Sequence, residues 1–272
     1  MTLDSRLTPA TDRVALASLR GILERPDYTP GHPARIAVPL ADLMSAPGGQ
    51  RQRQLNFGAD VTVIETRDDW AFVQAAQDGY CGWLRAAALT DDLPPITHRV
   101  TAPATHLYPE PDMKQHQIHA LSIGARLAVT GTEGRFARLA TGGYVPLQHV
   151  DQRPAADPVA VAERLLGTPY LWGGNSDWGI DCSGLVQAAL GACDIPCPGD
   201  SDLQRAAFPE TSDIVRGDLL FWPGHVALAA SAEVMVHATA WQMAVIREPI
   251  AEAMARIEAA GDGPFLGARR PR

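Results

Sequence analysis

The sequence is poor in the features that mark several common classes of protein. No apolar run approaches the roughly 18 residues that a membrane-spanning helix needs. The amino-terminal stretch, MTLDSRLTPATDRVALASLRG, is interrupted by charges and holds no apolar core of signal-peptide length. Basic residues are in the minority, and the net charge is −8. We therefore expect a cytoplasmic protein that binds neither nucleic acid nor a membrane, since both partners attract a basic surface.

Cysteine is also scarce. Four cysteines in 272 residues are too few for a disulfide framework, which favours a reducing compartment. Cys193 and Cys197 are close in sequence, but no second pair of Cys or His residues stands near them to complete a zinc site. The sequence therefore predicts neither a metal nor a cofactor.

What the chain does contain is typical of a globular protein with several small cores. Hydrophobic residues make up 46% of the sequence and charged residues 20%. The length of 272 residues exceeds one domain of average size and allows two or three. Near the amino terminus, residues 11–24 are predicted to form a short helix, with Thr11 as N-cap and an apolar stripe that includes Ala15 and Leu19.

An internal repeat follows this segment. Residues 57–84 align with residues 123–147, and the alignment pairs Gly58 with Gly124. Each copy consists of short runs of alternating apolar residues that are broken by Gly, Asp and Pro, which is the pattern of small antiparallel strands. We predict two small β-barrels.

The last domain begins after a linker. Residues 151–158, DQRPAADP, are typical of a linker because they are rich in Pro and Asp. A helix is predicted behind it, with Asp157 as N-cap, Pro158 at the first helical position and Gly167 after its end. The predicted organisation is an amino-terminal segment with a short helix (1–30), two β-barrels (31–92 and 95–152) and a last domain (155–272).

Cys182, in the stretch GIDCSGLVQAAL, is the candidate nucleophile. The apolar residues after it recur at helical spacing, so Cys182 lies at the amino-terminal end of a predicted helix, with Asp181 as its N-cap. The partial positive charge at that end favours the thiolate, which is the nucleophilic form of cysteine. The alternative is a structural cysteine, because free cysteine is among the most buried residue types.

Two of the eight histidines lie in the same domain as Cys182. His225 and His237 belong to the apolar runs HVALA and VMVHA, which a short polar stretch joins into a predicted β-hairpin. A turn centred on Ser231 would place the two imidazoles directly opposite each other on one face of the sheet. We predict that His225 is the general base of the site and that His237 orients it.

The order of motifs in the last domain is specific. GTPYLWGGNSDWGIDCSGLVQ is followed by RGDLLFW, GHVALA and VMVHA, and this order resembles the NlpC family of bacterial cell-wall cysteine peptidases. The resemblance implies an α+β fold, with a papain-like catalytic domain and the Cys-His-His triad Cys182, His225 and His237. Upstream, Tyr80 and Trp83 in GYCGW make the first repeat similar to bacterial SH3-like domains, and the second repeat is a looser copy.

The whole arrangement looks like the intracellular γ-D-glutamyl-L-diamino acid endopeptidases, which trim murein peptides. The resemblance implies that Asp181 and Ser183 meet the free L-alanine amine of the substrate, and that Tyr80 closes the cleft. A helix cap and a barrel-core residue are the respective alternatives for Asp181 and Tyr80. Trp172 is predicted to line the cleft, although large aromatic residues are more often core. A murein peptide is the expected partner, and the oligomeric state is left open.

Other functions remain open at this point. Amidases and acyl-transfer enzymes can use the same scaffold, because a thioacyl intermediate is common to all of them. Alternatively, the SH3-like repeats could bind cell wall while the last domain is inert, or the protein could be a secreted effector. One position departs from the family: Gly199 stands where relatives often carry an arginine that would contact the diamino acid.

Overall fold

The structure is a computed structural model that describes residues 3–271. The chain folds into two compact units. The first contains the residues up to Val100 together with Ala104–Gln152, so both copies of the repeat belong to it. The second contains Thr101–Pro103 and the chain from Arg153 onwards, and it holds Cys182, His225 and His237.

The first copy of the repeat lies in an antiparallel sheet. The strands of this part and the segment before it are β1 (Val14–Leu16), β2 (Asp27–Thr29), β3 (His32–Ile36), β4 (Leu40–Met44), β5 (Arg51–Asn56), β6 (Asp60–Arg67), β7 (Trp70–Ala75), β8 (Cys81–Arg85) and β9 (Leu89–Thr90). The sheet follows the order β5-β4-β8-β7-β6-β3-β9, and a core that includes Leu43, Leu55, Val73 and Leu84 fills the barrel.

The predicted helix over residues 11–24 is wrong. That segment forms strand β1, which pairs in parallel with β2, and then a single 3-10 turn, Ala17–Leu19. Val14 and Leu16 pack against the apolar cluster that contains Phe72 and Trp83 in the barrel. In an extended chain, alternate residues such as Val14 and Leu16 point to the same side, so both can pack on this cluster. This tertiary packing outweighs the weak local preference for a helix.

The second copy of the repeat follows the same order of elements in smaller sheets. Its strands are β10 (His98–Val100), β11 (Ala104–Leu107), β12 (His119–Ser122), β13 (Arg126–Leu127), β14 (Val129–Glu133), β15 (Phe136–Leu139), β16 (Tyr144–Pro146) and β17 (Val150–Asp151). Gly58 and Gly124, which the alignment pairs, both have positive φ, 79° and 82°. Only glycine adopts this conformation readily, so the repeat preserves the backbone at the same turn.

The second unit combines four helices with eight strands, counted over residues 3–271. They are α1 (Pro158–Glu163), β18 (Asn175–Ser176), β19 (Gly179–Ile180), α2 (Cys182–Ala192), α3 (Ser201–Ala207), β20 (Glu210–Thr211), β21 (Leu219–Trp222), β22 (His225–Ala229), β23 (Val234–Thr239), β24 (Ala244–Pro249), α4 (Ile250–Ala260) and β25 (Ala268–Arg269). In the part of the chain that the structure describes, no helix has the length and apolar character to cross a membrane.

The predicted start of α1 is confirmed. The Asp157 carboxylate accepts a hydrogen bond from the Val159 N–H at 2.9 Å, and Pro158 occupies the first helical position. The helix ends earlier than predicted, at Glu163, and Gly167, with a φ of 85°, comes after a further turn. An N-cap and a first-turn proline act locally on the backbone, so the sequence is sufficient to locate the start of the helix.

The central sheet of the second unit follows the order β20-β25-β21-β22-β23-β24. Helix α4 packs on one face of it, where Ala253 and Ile257 contact a cluster with Ala227 and Met235. The alternate residues of β22 are fully buried as well, and α2 packs against β22 and β23. Strands covered on both faces have continuous apolar sequences, which is why HVALA and VMVHA show little alternation.

Candidate active site

The carboxylate of Asp181 forms hydrogen bonds both to the start of α2 and to the loop before it. Asp181 Oδ1 accepts hydrogen bonds from the Gly184 N–H at 2.6 Å and from the Ser183 hydroxyl at 2.9 Å, while Oδ2 accepts one from the Gly173 N–H at 2.9 Å. The predicted N-cap is therefore confirmed, and the same side chain also holds the loop before the helix. Cys182, the first residue of α2, is fixed between these two attachments.

The loop approaches α2 closely at Gly184. A Cβ atom on Gly184 would lie 2.3 Å from the carbonyl oxygen of Gly174, which is a backbone atom. That carbonyl also accepts a hydrogen bond from the Asp181 N–H at 3.2 Å. The absence of a side chain at Gly184 thus allows the loop to reach the helix start.

Cys182 is buried beside the strand that carries His225. Its sulfur lies 3.9 Å from the Gly224 carbonyl oxygen, and the Val226 backbone N–H is among the groups that lower its pKa, so the thiol contacts the backbone on both sides of His225. Only 6% of the residue is exposed. Burial, followed by the Asp181 charge, raises the pKa of the Cys182 thiol to about 12. The backbone N–H groups of the helix start lower that pKa, as expected, but the predicted preference for the thiolate is wrong here, because burial outweighs their effect.

The two histidines are hydrogen-bonded, but not in the predicted register. Leu228 pairs with Val236, and Ala229 with Met235, so the pairing register is shifted by two residues from the one that a direct pairing of His225 with His237 requires. The histidines are diagonal neighbours instead of opposite ones. A shift of two residues leaves a side chain on the same face, and His225 Nε2 still lies 2.9 Å from His237 Nδ1.

Both histidines are held in the neutral form. Burial, with a further effect of His237, lowers the pKa of His225 to about 3. Burial and the Arg256 charge lower the pKa of His237, which is 0% exposed, to about 4. A neutral imidazole can accept a proton, so His225 has the protonation state of a general base over most of the pH range.

Comparisons with known proteins agree with this geometry. Residues 167–258 match the NlpC/P60 family, and residues 43–89 match the bacterial dipeptidyl-peptidase SH3 domain. Dipeptidyl-peptidase 6 of Lysinibacillus sphaericus is 31% identical over 241 residues, which cover 76% of this chain and 87% of the relative. The chain belongs to the NlpC/P60 family. Membership supports a hydrolase of the cysteine peptidase class, and the resemblance noted in the sequence is confirmed.

Two further relatives extend the NlpC/P60 match beyond the catalytic unit. Gamma-D-glutamyl-L-lysine dipeptidyl-peptidase of Bacillus subtilis strain 168 is 28% identical over 214 residues, covering 68% of this chain and 71% of that protein. The crystal structure of an NlpC/P60 family protein from Bacillus cereus superposes with a TM-score of 0.75 at 23% identity, over 88% of this chain and 99% of that one. The latter shows a common papain-like fold, whereas a second SH3-like domain stays a prediction.

The other predicted site residues differ in their surroundings. Ser183 is buried and donates to Asp181, and Gln204 holds the Ser183 carbonyl at 3.0 Å. Trp172 is 69% exposed, beside the loop that Asp181 fastens. Tyr80 is 2% exposed and belongs to the apolar core of the first unit, with the Arg53 guanidinium 4.9 Å from its ring centre. This burial favours the alternative that Tyr80 is a core residue of the barrel, and its contact with substrate stays a prediction.

Sequence reasoning missed two residues of this NlpC/P60 site. Glu248, on β24, lies 3.0 Å from the Nε2 atom of His237. Burial, followed by electrostatic interactions with Cys182 and Asp181, raises the pKa of the half-buried Tyr170, so Tyr170 lies near both residues. Glu248 follows an exposed arginine in an ordinary strand, so no local signal distinguishes it from a surface carboxylate. Tyr170 lies in the GTPYLWGG motif and was a detectable candidate.

The low pKa values of the histidines predict that the protein loses stability in acid. An unfolded histidine takes up a proton near pH 6.5, whereas His225 and His237 resist protonation until about pH 3 and 4. The unfolded state therefore binds more protons between these limits, and stability falls as the pH decreases through this window. At about pH 5 the loss amounts to up to about 2 kcal/mol for each histidine.

Urea unfolding of the wild type and of His225→Gln, each at about pH 7 and pH 5, measures this loss. The variant should lose less stability on acidification than the wild type, because one of the two titrating groups is gone. An equal loss in both proteins would show that His225 is protonated normally in the folded state.

Proposed function

We propose that the protein is a cysteine endopeptidase that hydrolyses the bond between γ-D-glutamate and a diamino acid in murein peptides, and that Cys182, His225 and His237 carry the reaction. The observation that carries this proposal is the position of the Cys182 sulfur, at the start of α2 and against the backbone on both sides of His225. The hydrogen bond between His225 and His237 supports it. The names of the relatives from Lysinibacillus sphaericus and Bacillus subtilis favour this substrate class.

In the proposed mechanism, the proton leaves the thiol as the sulfur attacks. Cys182 and His225 both start neutral, so the Cys182 proton passes to Nδ1 of His225 while the S–C bond forms at the substrate carbonyl. The negative oxygen that results is stabilised by backbone N–H groups at the start of α2. When the C–N bond breaks, the His225 imidazolium gives its proton to the leaving amine, and a thioester remains on Cys182.

Water completes the cycle. His225, neutral again, removes a proton from the water as its oxygen attacks the thioester carbonyl. The C–S bond then breaks, and the proton held by His225 returns to the sulfur. His237 keeps the His225 ring in orientation throughout, since its Nδ1 atom is bound to the Nε2 atom of His225.

Recognition of the substrate amine is proposed for Asp181 and Ser183. The Asp181 carboxylate already accepts three hydrogen bonds from the loop and the helix. It still carries a charge one residue from the nucleophile, and a carboxylate can accept a further, charge-assisted hydrogen bond from an ammonium group. Trp172, which is exposed beside the same loop, would cover the bound peptide.

A free substrate amine should therefore be required. We expect L-Ala-γ-D-Glu-diaminopimelate to be cleaved, and its N-acetylated form to be cleaved at least about 100-fold more slowly, because acetylation removes the charge that pairs with Asp181. Mass spectrometry of the products from the two peptides measures the difference. Equal cleavage would exclude recognition of the amine, and cleavage of neither peptide would reject the proposed substrate.

A wall-binding module with an inert last domain is less well supported. The apolar cluster around Trp83 in the first unit is packed against Val14 and Leu16 of the amino-terminal segment, so this face is covered by the chain itself. An amidase or acyl-transfer enzyme would use the same thioester, and the same product analysis separates it from a peptidase.

A further inference from the structure

A buried carboxylate lies behind the histidine pair. Glu248 is 7% exposed, and its Oε2 atom lies 3.0 Å from Nε2 of His237. Strand β24 brings it there through a diagonal contact, since Met235 is the direct partner of Glu248 and His237 is that of Ile246. His225, His237 and Glu248 thus form a line of hydrogen bonds across three neighbouring strands, and Glu248 ends it.

A guanidinium on α4 holds this carboxylate from the other side. Arg256 donates from Nε to Glu248 Oε1 at 3.0 Å and from Nη2 to Oε2 at 2.7 Å. The Arg256 guanidinium also stacks on the ring of Trp241, 4.3 Å from its centre. Both oxygens of Glu248 thus face donors of the guanidinium, and in this pairing the carboxylate acts only as a hydrogen-bond acceptor.

This restriction determines where each imidazole carries its proton. Because Glu248 only accepts, Nε2 of His237 must be the protonated nitrogen, and Nδ1 of His237 is left as an acceptor. Nε2 of His225 must then donate to that acceptor, and Nδ1 of His225 keeps a lone pair. That lone pair is the one the proposed mechanism needs for the Cys182 proton.

We propose that Glu248 is a positioning residue that selects the base form of His225 through His237, with Arg256 keeping Glu248 as a pure acceptor; this rests on the proposed function of Cys182 and His225. Glu248 touches no reacting atom. Without Glu248, both imidazoles could carry their proton on Nδ1 instead of Nε2. Nδ1 of His225 would then already be protonated and could not accept the proton of Cys182.

Glu248→Leu tests this selection, because the introduced side chain cannot accept a hydrogen bond. Nε2 of His237 then loses its acceptor, and the proton of His237 is free to move to Nδ1. His237 then donates to Nε2 of His225, and His225 is left protonated at Nδ1. We expect kcat on L-Ala-γ-D-Glu-diaminopimelate to fall by about 10²-fold or more with KM nearly unchanged, because the wrong tautomer disables a histidine base.

A second substitution at the same position should retain more activity. In Glu248→Gln, the amide oxygen can take the place of Oε2 and accept from both Nη2 of Arg256 and Nε2 of His237, so we expect kcat at least about tenfold above that of Glu248→Leu. Glu252→Gln, which changes an exposed carboxylate on α4, is the matched control and should retain wild-type kcat. A purely structural ion pair predicts instead that Glu248→Leu and Glu248→Gln lose activity equally, because both remove the negative charge beside Arg256.

Imidazole ¹⁵N NMR of the wild type reads the tautomers without any substrate. We expect the proton of His237 on Nε2 and that of His225 on Nε2, with both resonances assigned through His→Gln variants. A proton on Nδ1 of either ring would overturn the proposal even if Glu248→Leu failed to fold. Full kcat in a folded Glu248→Leu would overturn it as well, whereas an inactive wild type with the expected tautomers would reject only the proposed substrate.

Discussion

Replacing Cys182 by alanine is expected to lower kcat/KM on murein peptides by about 10⁴-fold or more, because no other group can form the thioester. The site around it should survive. Asp181 caps α2 through its own side chain and backbone contacts to Gly184 and Gly173, none of which involves the sulfur. The measurement is the rate of product release from L-Ala-γ-D-Glu-diaminopimelate, together with the urea unfolding midpoint.

A second cysteine, directly after the same helix, provides the control. Cys193 follows the last residue of α2, at the end opposite Cys182. Cys193→Ala should keep near-wild-type turnover, and this separates the chemistry of one sulfur from a general effect of removing a thiol. Turnover near the wild-type rate in Cys182→Ala would show that the reaction does not pass through this residue.

Gly184→Ala is expected to cost about 1–3 kcal/mol of stability and to lower kcat/KM by about 100-fold. Alanine is the better helix former, so the intrinsic propensity of α2 would rise. The new Cβ atom would nevertheless lie 2.3 Å from the Gly174 carbonyl oxygen, and backbone cannot move aside as a flexible side chain can. Either the loop or the helix start must shift, and Cys182 is two residues away.

The same helix holds a glycine without this constraint. A Cβ atom on Gly191 would meet nothing within 4 Å, so Gly191→Ala should be neutral or stabilise the protein by up to about 1 kcal/mol. Urea unfolding and steady-state kinetics of both variants measure the contrast. Equal behaviour of the two alanine variants would mean that the contact between the loop and α2 has no role in positioning Cys182.

Local signals in the sequence were enough for several elements of the site. Asp157 and Asp181 cap their helices as predicted, and the two apolar runs form neighbouring strands that carry His225 and His237. Capping and strand formation depend on residues a few positions apart, which the sequence displays directly. The register of the hairpin was wrong by two residues, yet the histidines still met, because a shift of two preserves the face of the sheet.

The burial of individual side chains could not be predicted from the sequence. The pKa of Cys182 is governed by its desolvation rather than by the start of α2, and Tyr80 is buried in the apolar core of the first unit. The amino-terminal segment is extended because a distant apolar cluster covers it. Each of these depends on contacts between residues far apart in the chain.

By itself, the sequence determined which chemistry is available: a cysteine at a helix start, two histidines on adjacent strands, and the motif order of the NlpC/P60 family. Only the tertiary structure decided how that chemistry is tuned. It placed Glu248 behind His237 and paired it with Arg256 from another element. Proton positions and pKa values depend on neighbours in space and on exclusion of water, and these exist only once the chain has folded.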